Sequence, residues 1–311
     1  MAYLHELSGW PLFRWDSDRI APVLSRLRYS QGLFARRCLS MDERARNQAA
    51  GLVLARDSEK GLGPLLAEIR QNPQGLLTAA RLFGWHKSLG GSGAWRVENA
   101  GKAAPEARRI ADEMKIFLAW FNFDALPAGD GAGLSALWQD PLVKAGITRL
   151  WFTAIRPFSQ GSELLAGAAC ELALMRADAG KAWYGLGDYD GQCRAALKAA
   201  LDGGLDVSNW LECFLLALEQ AVDSAEKLIA PALRRNLAIG RMQASPLNER
   251  QKRVLALLLD DAKKKISSGA YAEAAACSSD TALRDIQELM SLGLLRKNRA
   301  GGRSTTYSLK A

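Results

Sequence analysis

The chain has 311 residues, 49% of them apolar, and 41 Lys and Arg stand against 33 Asp and Glu for a formal net charge of +8. That length exceeds the usual size of one hydrophobic core, and the apolar content is ample for burial, so two or three folded modules are expected and a disordered or fibrous chain is excluded. No apolar run approaches ~20 residues, and the N-terminus has no basic region ahead of an apolar one, so neither a membrane span nor a secretion signal is assigned and a cytoplasmic location is expected. The cysteines are Cys38, Cys170, Cys193, Cys213 and Cys277, with no C-x-x-C pair, and the only histidines are His5 and His86. No metal site is expected from that set, and the cysteines read as buried free thiols.

In chain order, Trp10-Pro11-Leu12-Phe13-Arg14-Trp15-Asp16 reads as a packed aromatic cap near the N-terminus. A helical stretch follows from Asp42 to Ala55. Ile110, Met114, Phe117, Leu118 and Phe121 recur at intervals of three and four, and so do Leu211, Phe214, Leu215, Leu218 and Val222, which predicts two amphipathic core helices. An apolar helix is expected from Leu164 to Leu174. Gly61, Pro64, Gly90, Gly91, Gly129, Gly131, Gly203 and Gly204 mark the breaks, and Ser245-Pro246 opens a last module after a basic stretch from Arg234 to Arg241. The expected fold class is mainly α, with an N-terminal helical domain over 1–75, a helical core over 76–243 and a small domain over 244–311.

The last module carries the most usable chemistry. Helices are predicted at Val254–Leu259, Ser267–Ala276 and Asp280–Leu292, the third capped by Ser279 or Asp280. Leu294 to Lys297 and Thr305 to Leu309 read as two strands joined by the basic, glycine-containing stretch Asn298 to Arg303. Three helices and a hairpin make a winged helix. From Ser245 to Ala311 there are 12 Lys and Arg against 7 Asp and Glu, a net +5 of the whole-chain +8. In a complex with duplex DNA, Arg296, Lys297, Arg299 and Arg303 would meet phosphates, and Ser279, Thr281, Arg284 and Gln287 would face base edges in the major groove. The run Lys263-Lys264-Lys265 reads as a solvated helix end. The same module also serves as a partner-docking unit, and the sequence leaves that alternative open.

Residues Arg156 to Gly167 lay without a gap onto the active-site pattern of Fic nucleotidyltransferases, H-x-F-x-D-G-N-G-R-x-x-R. The chain also resembles, in order, the signatures of one bacterial Fic subgroup. These are Leu82-Phe83-Gly84-Trp85-His86, Gly93-Ala94-Trp95-Arg96, Phe117 to Asn122, Asp140 to Ile147 with Leu150-Trp151-Phe152, Leu205-Asp206-Val207, and Trp210 to Leu215. The C-terminal segments Ser245 to Gln251, Asp280 to Gln287 and Gly301 to Thr305 continue the resemblance. It implies a Fic-type helical core between an N-terminal helical domain and a C-terminal winged helix.

Within the motif only Phe158 and Gly161 match. Arg156 stands where Fic enzymes carry the His that takes a proton from the target hydroxyl, and a guanidinium has no acceptor to do so. Gln160 replaces the acid that would help hold a metal, Ser162 replaces the Asn, and Glu163 puts a carboxylate where phosphate should approach a helix start. Leu164 and Gly167 replace the two Arg. The stretches Lys87 to Ala94 and Val97 to Pro105 are shorter than the family's loop and target-docking hairpin, and Asp42 to Gly61 lacks the family's inhibitory helix pattern. The resemblance, with these departures, implies no nucleotidyl transfer by the family mechanism. Three readings follow: a DNA-binding regulator, a homodimer or partner of an active Fic protein, or a protein that still binds nucleotide through Arg156. No cofactor is expected, and ATP with Mg²⁺ enters only under the third reading. With Arg156 in the His position, no second histidine is expected near the motif to act as a base.

Overall fold

The computed structural model describes residues 3–57, 62–124, 140–177, 184–185, 189–260, 265–298 and 305–310. Among these are α1 (Ser17–Leu39), α2 (Glu43–Asp57), α3 (Gly63–Gln71), α4 (Ala79–Ser88), α5 (Ile110–Phe123), α6 (Pro141–Ile155), α7 (Ser162–Ala177), α8 (Tyr189–Leu201), α9 (Ser208–Gln243), α10 (Glu249–Asp260), α11 (Ser268–Ala275) and α12 (Ser279–Ser291). The strands are β1 (Ile266–Ser267), β2 (Leu295–Lys297) and β3 (Thr306–Leu309). The fold is therefore mainly α with a small C-terminal sheet, as the sequence implies. The chain divides into two compact units, one of Met1–Leu39 with Ala50–Leu228, the other of Ser40–Ala49 with Ile229–Ala311.

In the first unit α6 is the central helix, and every residue from Ala145 to Ile155 is buried. Its start is fixed by sequence: the Asp140 side chain accepts from the Leu142 and Val143 amides at 2.9 and 3.3 Å, and Pro141 fills the first turn, where no amide is needed. Trp151 on α6 lies in an aromatic cluster with Trp10, Phe13, Phe117 and Trp120, at ring separations of 5.0 to 6.1 Å. Burial of one such side chain is worth about 3 kcal/mol, so this cluster fixes the N-terminal cap and α5 against α6. The cap is also tied by backbone: Arg14 donates to the Leu205 carbonyl and accepts from the Val207 amide, each at 2.8 Å.

The thiol expectation needs a correction. Cys193 on α8 and Cys213 on α9 form a disulfide, while Cys38 and Cys170, both buried, and Cys277, half-buried, are outside any disulfide. The chain bends around Asp202 and Gly203 and brings the two Cα atoms to 5.9 Å, a separation a disulfide spans. Spacing along the sequence gave no hint, because the pair is 20 residues apart and follows no short motif.

In the second unit α10, β1, α11, α12, β2 and β3 follow in that order, and the sheet runs β1-β3-β2 with both pairings antiparallel. Its core gathers Val254, Leu255 and Leu258 from α10, Tyr271 from α11, Ile286 and Leu289 from α12, and Leu295 and Tyr307 from the strands. Strand β1 has two residues, too few for an alternating pattern to show in the sequence. The cap of α12 also differs from expectation: the Ser278 hydroxyl accepts from the Thr281 amide at 3.3 Å, so Ser279 is the first helical residue. Ser278, Ser279 and Asp280 are all good caps, and composition alone does not choose among them.

Candidate functional site

The motif segment is the connection between α6 and α7. Helix α6 ends at Arg156, a non-glycine residue in left-handed conformation with φ 48°. Gly161 has φ 70°, where only glycine is unstrained, and Ser162 opens α7. The Ser162 hydroxyl donates to the Phe158 carbonyl at 2.9 Å and accepts from the Phe158 amide at 3.0 Å. The residue in the Asn position of the Fic pattern thus closes its own loop. Phe158 is buried against His86, Trp95 and Phe83, with ring centroids at 4.3, 5.1 and 6.3 Å.

Arg156 and Glu163 are exposed and Leu164 is half-buried, so the carboxylate at the start of α7 meets solvent. Behind the loop two buried cations brace it from the protein side. Arg96 donates through Nε to the Arg156 carbonyl at 2.7 Å, through Nη1 to the Glu98 carbonyl at 2.7 Å, and through Nη2 to the Pro105 carbonyl. Its amide donates to the Pro157 carbonyl at 3.0 Å. Burial, and then the Arg156 charge, hold the Arg96 guanidinium below its ordinary pKa. Arg149, 5% exposed on α6, donates to the Glu163 carbonyl. A Cβ added at the buried Gly167 would lie 3.4 Å from Arg149 Nη1 and 3.9 Å from Leu62 Cδ1. The position of the last Arg in the Fic pattern is here a buried glycine in ordinary contact range of another arginine.

One expectation is overturned: a histidine does stand beside the motif. His86, 2% exposed, packs on Phe158, and its Nδ1 accepts from the Gly93 amide at 3.2 Å. A Cβ added at Gly91 would strike the ring, so that glycine lets the loop lie on it. Burial lowers the His86 pKa from the ordinary 6.5, partly offset by the Gln160 backbone near the ring. The neutral ring has its one lone pair committed to Gly93, which leaves no free acceptor to serve as a base. Between Arg96 and Pro105 the chain forms no strand, so the compressed segment is a loop held by Arg96.

The second candidate face is in the C-terminal unit. On α12 Ala282, Asp285, Ile286 and Leu289 turn inward, which leaves Ser279, Asp280, Leu283, Arg284 and Gln287 exposed. Thr281 is half-buried, and its Oγ1 lies 2.9 Å from the Ser278 hydroxyl. On β2, which packs against α12, Arg296 and Lys297 are exposed, and Arg296 Nε donates to Ser308 Oγ at 3.3 Å. Arg299 and Arg303 lie outside the described residues. The α12 face is held at its base by buried Asp285, which accepts from Asn248 at 3.5 Å, from Arg250 at 3.3 Å and from the Tyr271 hydroxyl at 3.4 Å. The geometry offers a helix face with an amide, a guanidinium and a carboxylate, next to a strand with two cations. Those are groups that read base edges and meet phosphates.

The motif reading omitted Arg149 and His86 as bracing residues. Arg149 could have been found as the one charge in the run Gly146 to Ile155; the contact of His86 with Phe158 gave no signal, since 72 residues of sequence separate the two. Among the described residues no helix is long and apolar enough to cross a membrane, and no three His, Cys, Asp or Glu side chains group as a metal site.

Residues 3–60 match a family described as a domain of unknown function, DUF4172. No curated protein matches the chain. Among solved structures the chain is similar to a Fic family protein from Desulfovibrio desulfuricans G20, at 15% identity over 94% of each chain with a TM-score of 0.47.

Proposed function

We propose that this chain is a Fic-type protein that has lost nucleotidyl transfer and acts as a regulator binding duplex DNA through a C-terminal winged helix. The observation that carries the DNA reading is the outward face of α12, with Arg284 and Gln287 exposed beside Arg296 and Lys297 on β2. The order of helices and strands and the β1-β3-β2 sheet support a winged-helix reading, in which α12 would enter the major groove. Arg284 matches the guanine edge, Gln287 the adenine edge and Asp280 the cytosine amino group, while exposed Leu283 suits a thymine methyl.

The loss of transfer is supported by the motif segment. Arg156 has no acceptor, His86 is buried with its lone pair occupied, and Gly167 faces Arg149 where a phosphate-binding arginine would have to fit. Loss of a positioned base alone lowers rates by about 10² to 10⁴. Selection of bound sequences from a random duplex pool tests the function. The full chain should enrich a short motif, and Arg284→Ala should relax one position of it. Recovery of no enriched sequence, with Arg284→Ala behaving as the parent, would overturn sequence-specific binding.

A further inference from the structure

A cavity of about 320 Å³ lies between α3 and α4, lined by Pro64, Leu65, Glu68, Arg81, Gly84, Trp85 and Ser88. It is near the lower end of the sizes that hold small ligands. Gly84 of α4 is among its lining residues, and a Cβ built there meets nothing within 4 Å. Its walls are apolar, from the Pro64 ring, the Leu65 side chain and the Trp85 indole.

The polar groups of this cavity are one-sided. All five Arg81 N–H groups are committed: Nε and Nη2 to Glu68 Oε2 at 3.3 and 3.1 Å, Nη2 also to the Asn72 carbonyl at 3.1 Å, and Nη1 to the Gly75 and Leu76 carbonyls at 2.6 and 3.4 Å. Trp85 Nε1 donates to the same Glu68 Oε2 at 2.8 Å, and the Ser88 hydroxyl donates to the Trp85 carbonyl at 2.7 Å. No side-chain donor is left over. Acceptors are: Glu68 Oε1 takes no hydrogen bond from a described residue, the Glu68 side chain is 41% exposed, and the Ser88 oxygen keeps its lone pairs.

We infer that the cavity between α3 and α4 is a binding site for a small protonated amine with an apolar body, the amine donating to Glu68 Oε1 and the body lying on Trp85, Leu65 and Pro64. An anion finds no uncommitted side-chain donor there. None of its lining residues belongs to the motif segment or to α12.

The test uses 2-phenylethylamine and its anionic counterpart phenylacetate as probes, titrated into the full chain by calorimetry. The amine should bind saturably and phenylacetate should not. Glu68→Gln keeps an acceptor for Arg81 and Trp85 but removes the charge, and should weaken the amine roughly tenfold. Gly84→Leu fills the cavity and should abolish binding while circular dichroism still shows the parent's helix content. Equal binding of both probes, retention of amine binding in folded Gly84→Leu, or no saturable amine binding by the parent protein would each overturn the inference.

Discussion

Replacing Gly167 by Arg, the residue that the Fic pattern carries there, is expected to destabilise the first unit by about 3 kcal/mol. Gly167 is buried on α7, and its added Cβ starts 3.4 Å from Arg149 Nη1. Two guanidinium groups ~4 Å apart repel by roughly 4 kcal/mol at an effective dielectric near 20, and still by about 2 kcal/mol at ~8 Å. Overpacking a filled position adds about 1 kcal/mol or more. Urea unfolding followed by circular dichroism gives the change directly, and for a unit of this size it corresponds to a fall of roughly 6 to 12 °C in melting temperature. Gly167→Ala is the control: its methyl meets Arg149 at ordinary contact distance, and the gain in helix propensity should leave it within about 1 kcal/mol of the parent. Combining Gly167→Arg with Arg149→Met should recover part of the loss, because the repulsion is removed. If Gly167→Arg alone unfolds at the parent's midpoint, the motif has not been closed by packing and the segment can be rebuilt.

Three further outcomes follow from the structure. Cys213→Ser opens a loop of 20 residues, and the chain-entropy relation puts the loss near 3 kcal/mol, read as a lower urea midpoint that reducing agent reproduces in the parent and leaves unchanged in the variant. Asp285→Ala leaves Arg250, Asn248 and the Tyr271 hydroxyl without their shared acceptor and should cost the C-terminal unit about 2 kcal/mol, seen as early hydrogen exchange in α10 to α12 while α6 stays protected. His5 and His86 both have pKa values lowered from the ordinary 6.5, chiefly by burial. The unfolded chain therefore binds more protons just below that pH, so stability should fall as pH drops through 6.5 toward the folded values, and a His5→Phe, His86→Phe chain should show a flatter profile in thermal melts from pH 7 to 5.

The helices were legible where periodicity is strong. Ile110, Met114, Phe117 and Phe121 on α5, and Leu211, Phe214, Leu215, Leu218 and Val222 on α9, are buried as their spacing demands. The C-terminal strands were legible to within one residue, because Leu294 to Lys297 and Thr305 to Leu309 are short β-prone runs on either side of a glycine-containing sequence. What stayed hidden were contacts between side chains distant in sequence. The brace from Arg149 to Glu163, the seating of His86 under Phe158, and the Cys193–Cys213 bond all depend on how helices pack, and no local pattern encodes that. The departures from the Fic pattern were readable from identity alone, whereas the seating of Gly167 beside Arg149 was not.

Binding of the full chain to a fluorescent duplex, measured by anisotropy over a salt series, tests the central claim most directly. Electrostatic contact with phosphates makes log K fall linearly with log salt, and each phosphate contact contributes about 0.9 to the slope. Saturable binding at low salt is expected, with a slope that falls by about 1 for Arg296→Ala, by about 1 for Lys297→Ala and by about 2 for the pair. Absence of binding at low salt, or a slope that the double variant leaves unchanged, would contradict it.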